Sequence, residues 1–190
     1  LDGSSDGVLI GSPSVVNDLG SFTIAGWINP TQLGGYVFSK RSSGQSGYWR
    51  LALGNDGSLV WIRDTNGSTL FSNGQAGAVS TNSWQHVAVT WDGTLTASGA
   101  RIYVDGVDII TSGTNGSGTL LSDAGNRLTL GYRDGGSEYF AGRIDDVRLY
   151  DRTLTATEVQ SLAGGGTTPP PSAVCGNGIV EGGEACDGSA

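Results

Sequence analysis

Two neighbouring segments of the sequence carry an aromatic residue and an arginine two positions apart. Tyr48 and Arg50 alternate in the first segment, and Trp61 and Arg63 alternate in the second. A sugar ring has an apolar face edged with hydroxyl groups, so flat aromatic rings and planar hydrogen-bonding side chains suit its recognition. Residues two positions apart share one face of a strand. The pattern therefore predicts a sugar-binding surface.

The hairpin that carries these residues spans 48–53 and 59–63, joined by the turn signal Asn55-Asp-Gly57. All four side chains lie together on an outer sheet face if the intervening residues of the second strand point inward. The alternative register instead buries Leu59 and Trp61. The sequence leaves both registers open.

A second group of candidate ligand-binding residues surrounds the glycine-rich turn Asp134-Gly-Gly136. It consists of Tyr132, Arg133 and Tyr139. Loops held by a rigid scaffold often carry binding residues, so we count these three as candidates. The alternative is an ordinary solvated turn.

Signals for catalysis are weak. Hydrolysis of a glycoside needs two placed carboxylates, and the glutamates of the first 163 residues, Glu138 and Glu158, fall in a predicted loop and a helix cap. Gly3-Ser-Ser-Asp-Gly7 matches a nucleophile-elbow string, but no strand–turn–helix pattern surrounds it. The single histidine, His86, has no nucleophile beside it, and we expect it to be buried, hydrogen-bonded and structural. The sequence thus predicts a protein that is not an enzyme.

Short strands separated by turn signals fill the first 150 residues. Alternation is clear from Trp84 to Trp91, and Asp105-Gly106 joins a further hairpin. Even spacing of many short strands predicts a two-sheet antiparallel sandwich or a barrel. The one convincing helix follows the capping box Thr155-Ala-Thr-Glu158.

Five segments of the chain also resemble, in order, the laminin G-like, concanavalin A-like jelly-roll domains of bacterial secreted proteins. They are Phe22-Thr-Ile-Ala-Gly-Trp-Ile-Asn-Pro30, Trp84-Gln-His-Val-Ala-Val-Thr-Trp-Asp-Gly93, Ile102-Tyr-Val-Asp-Gly106, Gly142-Arg-Ile-Asp-Asp-Val-Arg-Leu-Tyr150 and Leu154-Thr-Ala-Thr-Glu-Val159. The resemblance covers residues 1–163 and implies an all-β, two-sheet antiparallel jelly-roll sandwich with one short C-terminal helix. It also implies a bacterial protein that is secreted or at the cell surface.

The same resemblance implies a structural Ca²⁺ where the first strand meets the last. The matching carboxylates are Asp2 and Asp145, with Asp146 next to Asp145. Ca²⁺ takes six to eight oxygen ligands, and sequence-distant aspartates brought together would repel without a cation. The alternative is that Asp145 or Asp146 pairs with Arg143 or Arg148, or caps a turn.

The C-terminal part differs in composition. Residues 164–174 are rich in Gly, Thr and Pro and predict a linker. Residues 175–190 resemble a truncated unit of the cysteine-rich Cys-Gly-Asn-Gly repeats of large bacterial surface proteins. Cys175 and Cys186 either bridge each other or pair with partners downstream.

The formal net charge of −8 argues against a nucleic-acid partner. No apolar run is long enough to span a membrane. We expect a monomeric, noncatalytic carbohydrate-binding module of a larger multidomain protein, with a polysaccharide or oligosaccharide as ligand. The negative charge favours a neutral glycan unless Arg50, Arg63 and Arg133 form a positive patch. The alternatives are a protein-interaction or adhesion domain and, more weakly, a polysaccharide-degrading enzyme.

Overall fold

The computed structural model describes residues 1–165. They form twelve strands and one α-helix. In chain order these are β1 (Val8–Gly11), β2 (Phe22–Pro30), β3 (Tyr36–Lys40), β4 (Trp49–Leu53), β5 (Leu59–Arg63), β6 (Leu70–Gly74), β7 (Gln85–Trp91), β8 (Ala100–Val104), β9 (Val107–Asp108), β10 (Ile110–Thr114), β11 (Leu128–Leu130), β12 (Gly142–Tyr150) and α1 (Ala156–Ala163). Two short 3₁₀ turns lie at Ser14–Val16 and Ala97–Gly99.

The strands make two antiparallel sheets. The seven-stranded sheet has the order β1-β11-β3-β4-β5-β6-β10, and the five-stranded sheet has the order β12-β2-β7-β8-β9. The two-sheet jelly-roll sandwich and the single helix predicted from the sequence are thereby confirmed. Both predicted hairpins are present, as β4–β5 and β8–β9. Asp105 and Gly106 both have positive φ, as the tight turn of a two-residue hairpin requires.

The core lies between the two sheets and is built from large apolar side chains. Phe22 packs against three tryptophans, with ring centroids 4.9 Å from Trp49, 5.7 Å from Trp61 and 5.6 Å from Trp91. Each of these side chains is almost completely buried. Burial of apolar surface on this scale is the main stabilising term of the sandwich.

The outer faces of the two sheets differ in what covers them. Helix α1 begins with the predicted capping box between Thr155 and Glu158 and packs Val159 and Leu162 against the outer face of the five-stranded sheet. Since α1 is the one α-helix in residues 1–165, no helix there covers the outer face of the seven-stranded sheet. Along that face Ser39, Ile62 and Thr129 are buried, whereas Arg50 is half-buried and Phe71 is exposed, so the accessible part lies around the last two.

A buried ion pair joins one end of the seven-stranded sheet to a loop. Lys40 Nζ lies 2.5 Å from Asp123 Oδ1, and both side chains are buried. The same lysine donates to Asn17 at 2.7 Å. Burial lowers the pKa of Lys40, while the hydrogen bond to Asp123 opposes that shift. The pair therefore fixes the loop that carries Asp123.

The predicted linker and cysteine-rich unit lie outside the described residues, except for Gly164 and Gly165. The pairing of Cys175 and Cys186 accordingly stays a prediction. Within residues 1–165, no helix has the length and apolar character needed to cross a membrane.

Candidate functional site

The outer face of the seven-stranded sheet carries a row of side chains that runs across five of its strands. Cross-strand pairing aligns them in the order Thr129, Ser39, Arg50, Ile62 and Phe71. Their neighbours along each strand, such as Leu51 and Trp61, belong to the core, so the row faces outward. The row is mixed in character, with a cation at its centre and a phenylalanine, 37% exposed, towards one end.

A β-bulge brings a tyrosine to the same face. Tyr36 pairs with Ala52, whereas Phe38 pairs with Leu51, and the register shifts between them. Tyr36 and Phe38 are two positions apart and would share a face in a regular strand. The extra residue reverses this relation, so Phe38 enters the core and Tyr36 lies beside Arg50.

Arg50 stands between two tyrosine rings. Its guanidinium carbon is 5.2 Å from the ring centroid of Tyr36 and 5.3 Å from that of Tyr48. The guanidinium carbon of Arg41 lies 4.2 Å from the Tyr48 ring, and that of Arg133 lies 5.6 Å from the Tyr36 ring. These are cation–π distances. We call Tyr36, Arg41, Tyr48, Arg50 and Arg133 the tyrosine–arginine cluster.

The charge of this cluster is largely uncompensated within residues 1–165. Arg133 pairs with Glu138 at 3.2 Å. Arg41 and Arg50 have cation–π contacts but no ion pair with a described carboxylate. Burial lowers the pKa of Arg50, and the neighbouring charges of Arg41 and Arg133 add to the shift. A guanidinium stays protonated even so, and the cluster is therefore a positive patch on an acidic protein.

Several polar atoms of this face are buried without a hydrogen-bond partner. They are Ser39 Oγ, Arg50 Nε, Arg50 Nη1 and Arg133 Nε, four of the seven such side-chain atoms in residues 1–165. Ser39 and Arg50 are direct cross-strand neighbours. An unmade hydrogen bond at a buried atom costs about 1–3 kcal/mol. Because four such atoms lie on one face, that face lowers the free energy of unfolding.

Two loops form the walls of the cluster. Arg41 and Tyr48 bound the loop between β3 and β4, and residues 131–141 connect β11 to β12. Gly35 has a φ of +89°, and a Cβ there would lie 2.5 Å from the carbonyl oxygen of Tyr139. This close approach requires glycine and holds the second loop against the sheet. A cavity of about 240 Å³, lined in part by Tyr36, Asn55 and Glu138, continues the cluster at this edge.

The structure brings some of the sequence-predicted binding residues together. Tyr48, Arg50 and Arg133 all belong to the cluster. Tyr132 and Tyr139 stack on each other, with ring centroids 5.8 Å apart and planes 10° from parallel. They form a separate aromatic pair on the loop that carries Arg133. Sequence reasoning missed Tyr36, Arg41 and Phe71 as residues of this face.

Two predicted binding residues lie on the opposite face of the sheet. Trp61 is fully buried in the core, and Arg63 is only 3% exposed. The exposed register considered for β5 is therefore wrong, and the alternative with Leu59 and Trp61 inside is correct. The reason is volume, because the inner face needs the large Trp61 side chain to fill the space beside Phe22 and Trp49.

Arg63 is held inside by specific partners. Its Nη1 donates to the carbonyl oxygen of Gly47 at 2.5 Å, and Nη2 donates to that of Leu121 at 3.3 Å. Nη1 also lies 3.6 Å from a carboxylate oxygen of Asp123. These contacts make Arg63 part of the buried ion cluster of Lys40 and Asp123.

The aspartates predicted to bind calcium each have protein partners. Asp2 Oδ1 accepts the backbone N–H groups of Ser4, Ser5 and Asp6, and Oδ2 accepts the hydroxyls of the two serines. These bonds hold the pKa of Asp2 well below its usual range. The carboxylate therefore caps a tight turn.

The other two aspartates lie at a bulge in β12. Asp146 has a φ of +45° and makes two hydrogen bonds with the guanidinium of Arg148, at 2.9 and 2.8 Å. Asp145 accepts the backbone N–H of Asp146. In the described part of the chain, no group of three or more His, Cys, Asp or Glu side chains is placed to share a metal ion. Asp2 and Asp146 are thus engaged by protein donors in this structure, and the calcium site expected from the sequence stays a prediction.

His86 is buried beside Trp27, with ring centroids 5.4 Å apart. Its Nδ1 is buried without a hydrogen-bond partner, so the predicted burial is correct while this atom lacks the predicted hydrogen bond. Burial lowers the pKa of His86.

The sequence is similar to a known family and to known proteins. The model of the concanavalin A-like lectin/glucanases superfamily matches residues 2–160. The sushi, von Willebrand factor type A, EGF and pentraxin domain-containing protein 1 of Rattus norvegicus is 32% identical over 122 residues. That match covers 58% of this chain but only 3% of the rat protein.

Two solved structures of similar fold are sugar-related domains. Domain 4 of AbnA, an extracellular GH43 arabinanase from Geobacillus stearothermophilus in complex with arabinotriose, has a TM-score of 0.65 and 21% identity. That similarity covers 86% of this chain and 74% of the domain. The CBM40 of the Ruminococcus gnavus IT-sialidase has a TM-score of 0.62 and 18% identity, covering 86% of this chain and 94% of that module. At such identities the likeness concerns the fold alone.

Proposed function

The chain belongs to the concanavalin A-like lectin/glucanases superfamily, and from that membership we propose that it is a noncatalytic carbohydrate-binding module. The observation that carries the proposal is the tyrosine–arginine cluster on the outer face of the seven-stranded sheet, which no helix of residues 1–165 covers. Tyrosine rings offer flat apolar surface, and guanidinium groups offer planar donors to hydroxyl oxygens.

The dimensions of the face suit an extended ligand. Arg50 and Phe71 lie two strands apart in one row, which corresponds to about 10 Å at a strand spacing of about 4.8 Å. Ile62, which is buried, lies between them. A saccharide lying across the strands would contact cations at one end and an exposed aromatic ring at the other.

Binding without catalysis is supported by the lack of a carboxylate pair at the cluster. Glycoside hydrolysis uses two carboxyl groups that flank the scissile bond. Within residues 1–165, Glu138 is the carboxylate that contacts the cluster, and it is paired with Arg133. The nearby Asp134 is paired with Arg127. Both carboxylates are thus engaged in ion pairs with arginines.

The surrounding fold supports an extracellular setting. AbnA is an extracellular arabinanase and the CBM40 belongs to a sialidase, and we propose that this module likewise serves a secreted or surface-attached protein. Calcium binding at Asp2, Asp145 and Asp146, expected from the sequence, stays a proposal. A cation at Asp145 would need Asp2 or Asp146 to exchange the hydrogen bonds described above.

A second candidate, a protein-interaction or adhesion domain, rests on a different surface. The edge strand β1 exposes Val8, Leu9 and Ile10 to 48%, 51% and 44%. An exposed apolar edge is a common place for contact with another chain. This surface is separate from the tyrosine–arginine cluster in sequence, so variants distinguish the two functions.

The test is glycan binding by the 190-residue chain. Affinity gel electrophoresis and a glycan array, each with and without Ca²⁺, should detect retention on at least one neutral or acidic glycan. Tyr48→Ala should weaken that retention, whereas Leu9→Ser on the edge strand should leave it unchanged. Absence of binding across both formats would defeat the proposed function, and loss of binding with Leu9→Ser alone would move the site to β1.

A further inference from the structure

The charges of the tyrosine–arginine cluster distinguish neutral from anionic ligands. Arg41 and Arg50 have no described carboxylate as partner, and the tyrosine rings that flank Arg50 partly remove it from water. A neutral sugar laid on this face would displace more water without supplying a countercharge. Burying an unpaired charge is costly, whereas pairing it with a hydrogen-bonded anion offsets that cost.

The hydrogen-bonding state of Arg50 agrees with this reasoning. Its Nε and Nη1 are buried without partners. Its Nη2 also makes no hydrogen bond within residues 1–165, but it is not among the buried atoms, so it is the donor that faces outward. An incoming acceptor at Nη2 would complete a charge-assisted bond, which is about twice as strong as a neutral one.

We infer that the tyrosine–arginine cluster is a subsite for the carboxylate of an acidic sugar, with Arg50 as its central donor and Arg41 as the second cation. This inference rests on the proposed function and names the class of its ligand. A carboxylate is planar, and one that accepts from the outward-facing Nη2 of Arg50 would lie next to the tyrosine rings that flank this guanidinium. Its two oxygens are acceptors of the kind that a guanidinium recognises.

The acidic character of the whole protein sharpens the inference. The formal net charge is −8, so the long-range field repels a polyanion. At 0.15 M salt, charges more than about 8 Å apart are largely screened. Retention of an acidic glycan by this protein would therefore report a local positive site and not general attraction. The inference therefore favours an acidic glycan over the neutral one expected from the sequence, and it uses Arg41 where the sequence suggested Arg63.

The experiment compares acidic probes with matched neutral ones at 0.15 M salt. Polygalacturonate is set against the same polymer with its carboxyl groups reduced to alcohols, and 3′-sialyllactose is set against lactose. We expect the 190-residue chain to bind at least one acidic probe tenfold or more tightly than its neutral counterpart. Dextran sulfate should bind more weakly than that acidic probe, because a sulfate is not planar.

Variants connect the preference to the cluster. Arg50→Gln should reduce binding of the acidic probe at least tenfold and leave any binding of the neutral probe within about twofold. Arg50→Lys keeps the charge but not the planar group. It should bind the acidic probe more weakly than the wild type and more tightly than Arg50→Gln. Arg101→Gln is the matched control, since Arg101 is 45% exposed on the other sheet and has only a 3.6 Å ion pair with Asp108. Thermal melts of all variants verify that they fold.

The outcomes separate the two claims. Equal binding of acidic and neutral probes would overturn the carboxylate subsite and leave the carbohydrate-binding function intact. Equal or stronger binding of dextran sulfate would overturn the choice of carboxylate. A selective acidic interaction that survives Arg50→Gln would overturn the placement of the subsite. Absence of binding to every glycan tested would remove the proposed function and the inference together.

Discussion

Arg50 and Arg63 lie on adjacent strands of one hairpin but on opposite faces of the sheet. Arg50 pairs with Ile62, and Arg63 pairs with Trp49, so the two arginines occupy neighbouring rows that point in opposite directions. Arg63 reaches the buried carboxylate of Asp123 and two backbone carbonyl groups. Arg50 reaches two tyrosine rings and no described carboxylate. The same residue type therefore serves stability on one face and is available for recognition on the other.

This contrast predicts opposite effects of the same substitution. Arg63→Gln should lower the free energy of unfolding by about 2–3 kcal/mol, because charge-assisted hydrogen bonds in a buried site are lost. Arg50→Gln should lower it by no more than about 1 kcal/mol, because cation–π contacts with two tyrosine rings are lost but no hydrogen bond is. Urea unfolding of both variants measures the difference. A destabilisation by Arg50→Gln that matches that of Arg63→Gln would contradict the assignment of Arg50 to ligand binding.

Trp61 and Tyr48 provide a second pair of opposite effects. Trp61→Phe should destabilise the protein by about 1–2 kcal/mol through lost volume in a packed core, and glycan binding should stay within about twofold of wild type. Tyr48→Ala should instead weaken binding about fivefold, equivalent to about 1 kcal/mol. Calorimetric titration with the best-binding glycan measures both. Weaker binding caused by Trp61→Phe would return Trp61 to the ligand surface.

The strands and turns could be predicted because each has a local cause. Alternation along β7, the turn residues Asp105-Gly106 and the capping box at Thr155 act over a few neighbours. The register of β5 has no such local cause. Its sequence Leu-Val-Trp-Ile-Arg is apolar at four of five positions, so either face could enter the core. Packing against Phe22, distant in sequence, decides which face does.

Sequence reasoning also misses residues of the candidate site whose placement has no local cause. The face of Tyr36 depends on a bulge between Tyr36 and Phe38, and no residue type in that strand signals a bulge. The contact of Arg41 with the Tyr48 ring has no local sequence signal, because the two residues lie at opposite ends of a loop. The inward turn of Arg63 depends on Asp123, sixty positions later in the chain. Sequence reasoning names the residue types of such a site more readily than their faces.

Asp2 yields a prediction about calcium. Its carboxylate accepts three backbone N–H groups and two hydroxyls in the turn that follows it. Asp2→Ala should therefore lower the melting temperature equally in Ca²⁺ and in EDTA, because the lost bonds are internal to the protein. The melting temperature of Asp145→Asn, which removes another carboxylate of the expected site, is measured in the same two conditions. A melting temperature that rises with Ca²⁺ in the wild type, but not in Asp2→Ala, would instead support the metal site expected from the sequence.

His86 predicts how stability depends on pH. Burial lowers its pKa in the folded state, and Arg148 adds to this effect, while Asp105 and Asp146 oppose it. A lowered histidine pKa means that the unfolded chain binds the proton more readily. The contribution of His86 to stability is therefore fully present above pH of about 6.5 and is lost as the pH falls from there through the folded-state pKa.

Carboxylate effects fall in a separate pH window. The bond with Arg152 lowers the pKa of Glu158 to about 2, so its contribution is lost only as the pH falls below its ordinary value of 4.5. Between pH 7 and 5 the free energy of unfolding should thus decline with a slope that His86→Gln removes. The protein has one histidine, so its imidazole proton resonances report the folded-state pKa directly. A titration midpoint at or above 6.5, or an unchanged slope in His86→Gln, would show that burial does not govern this side chain.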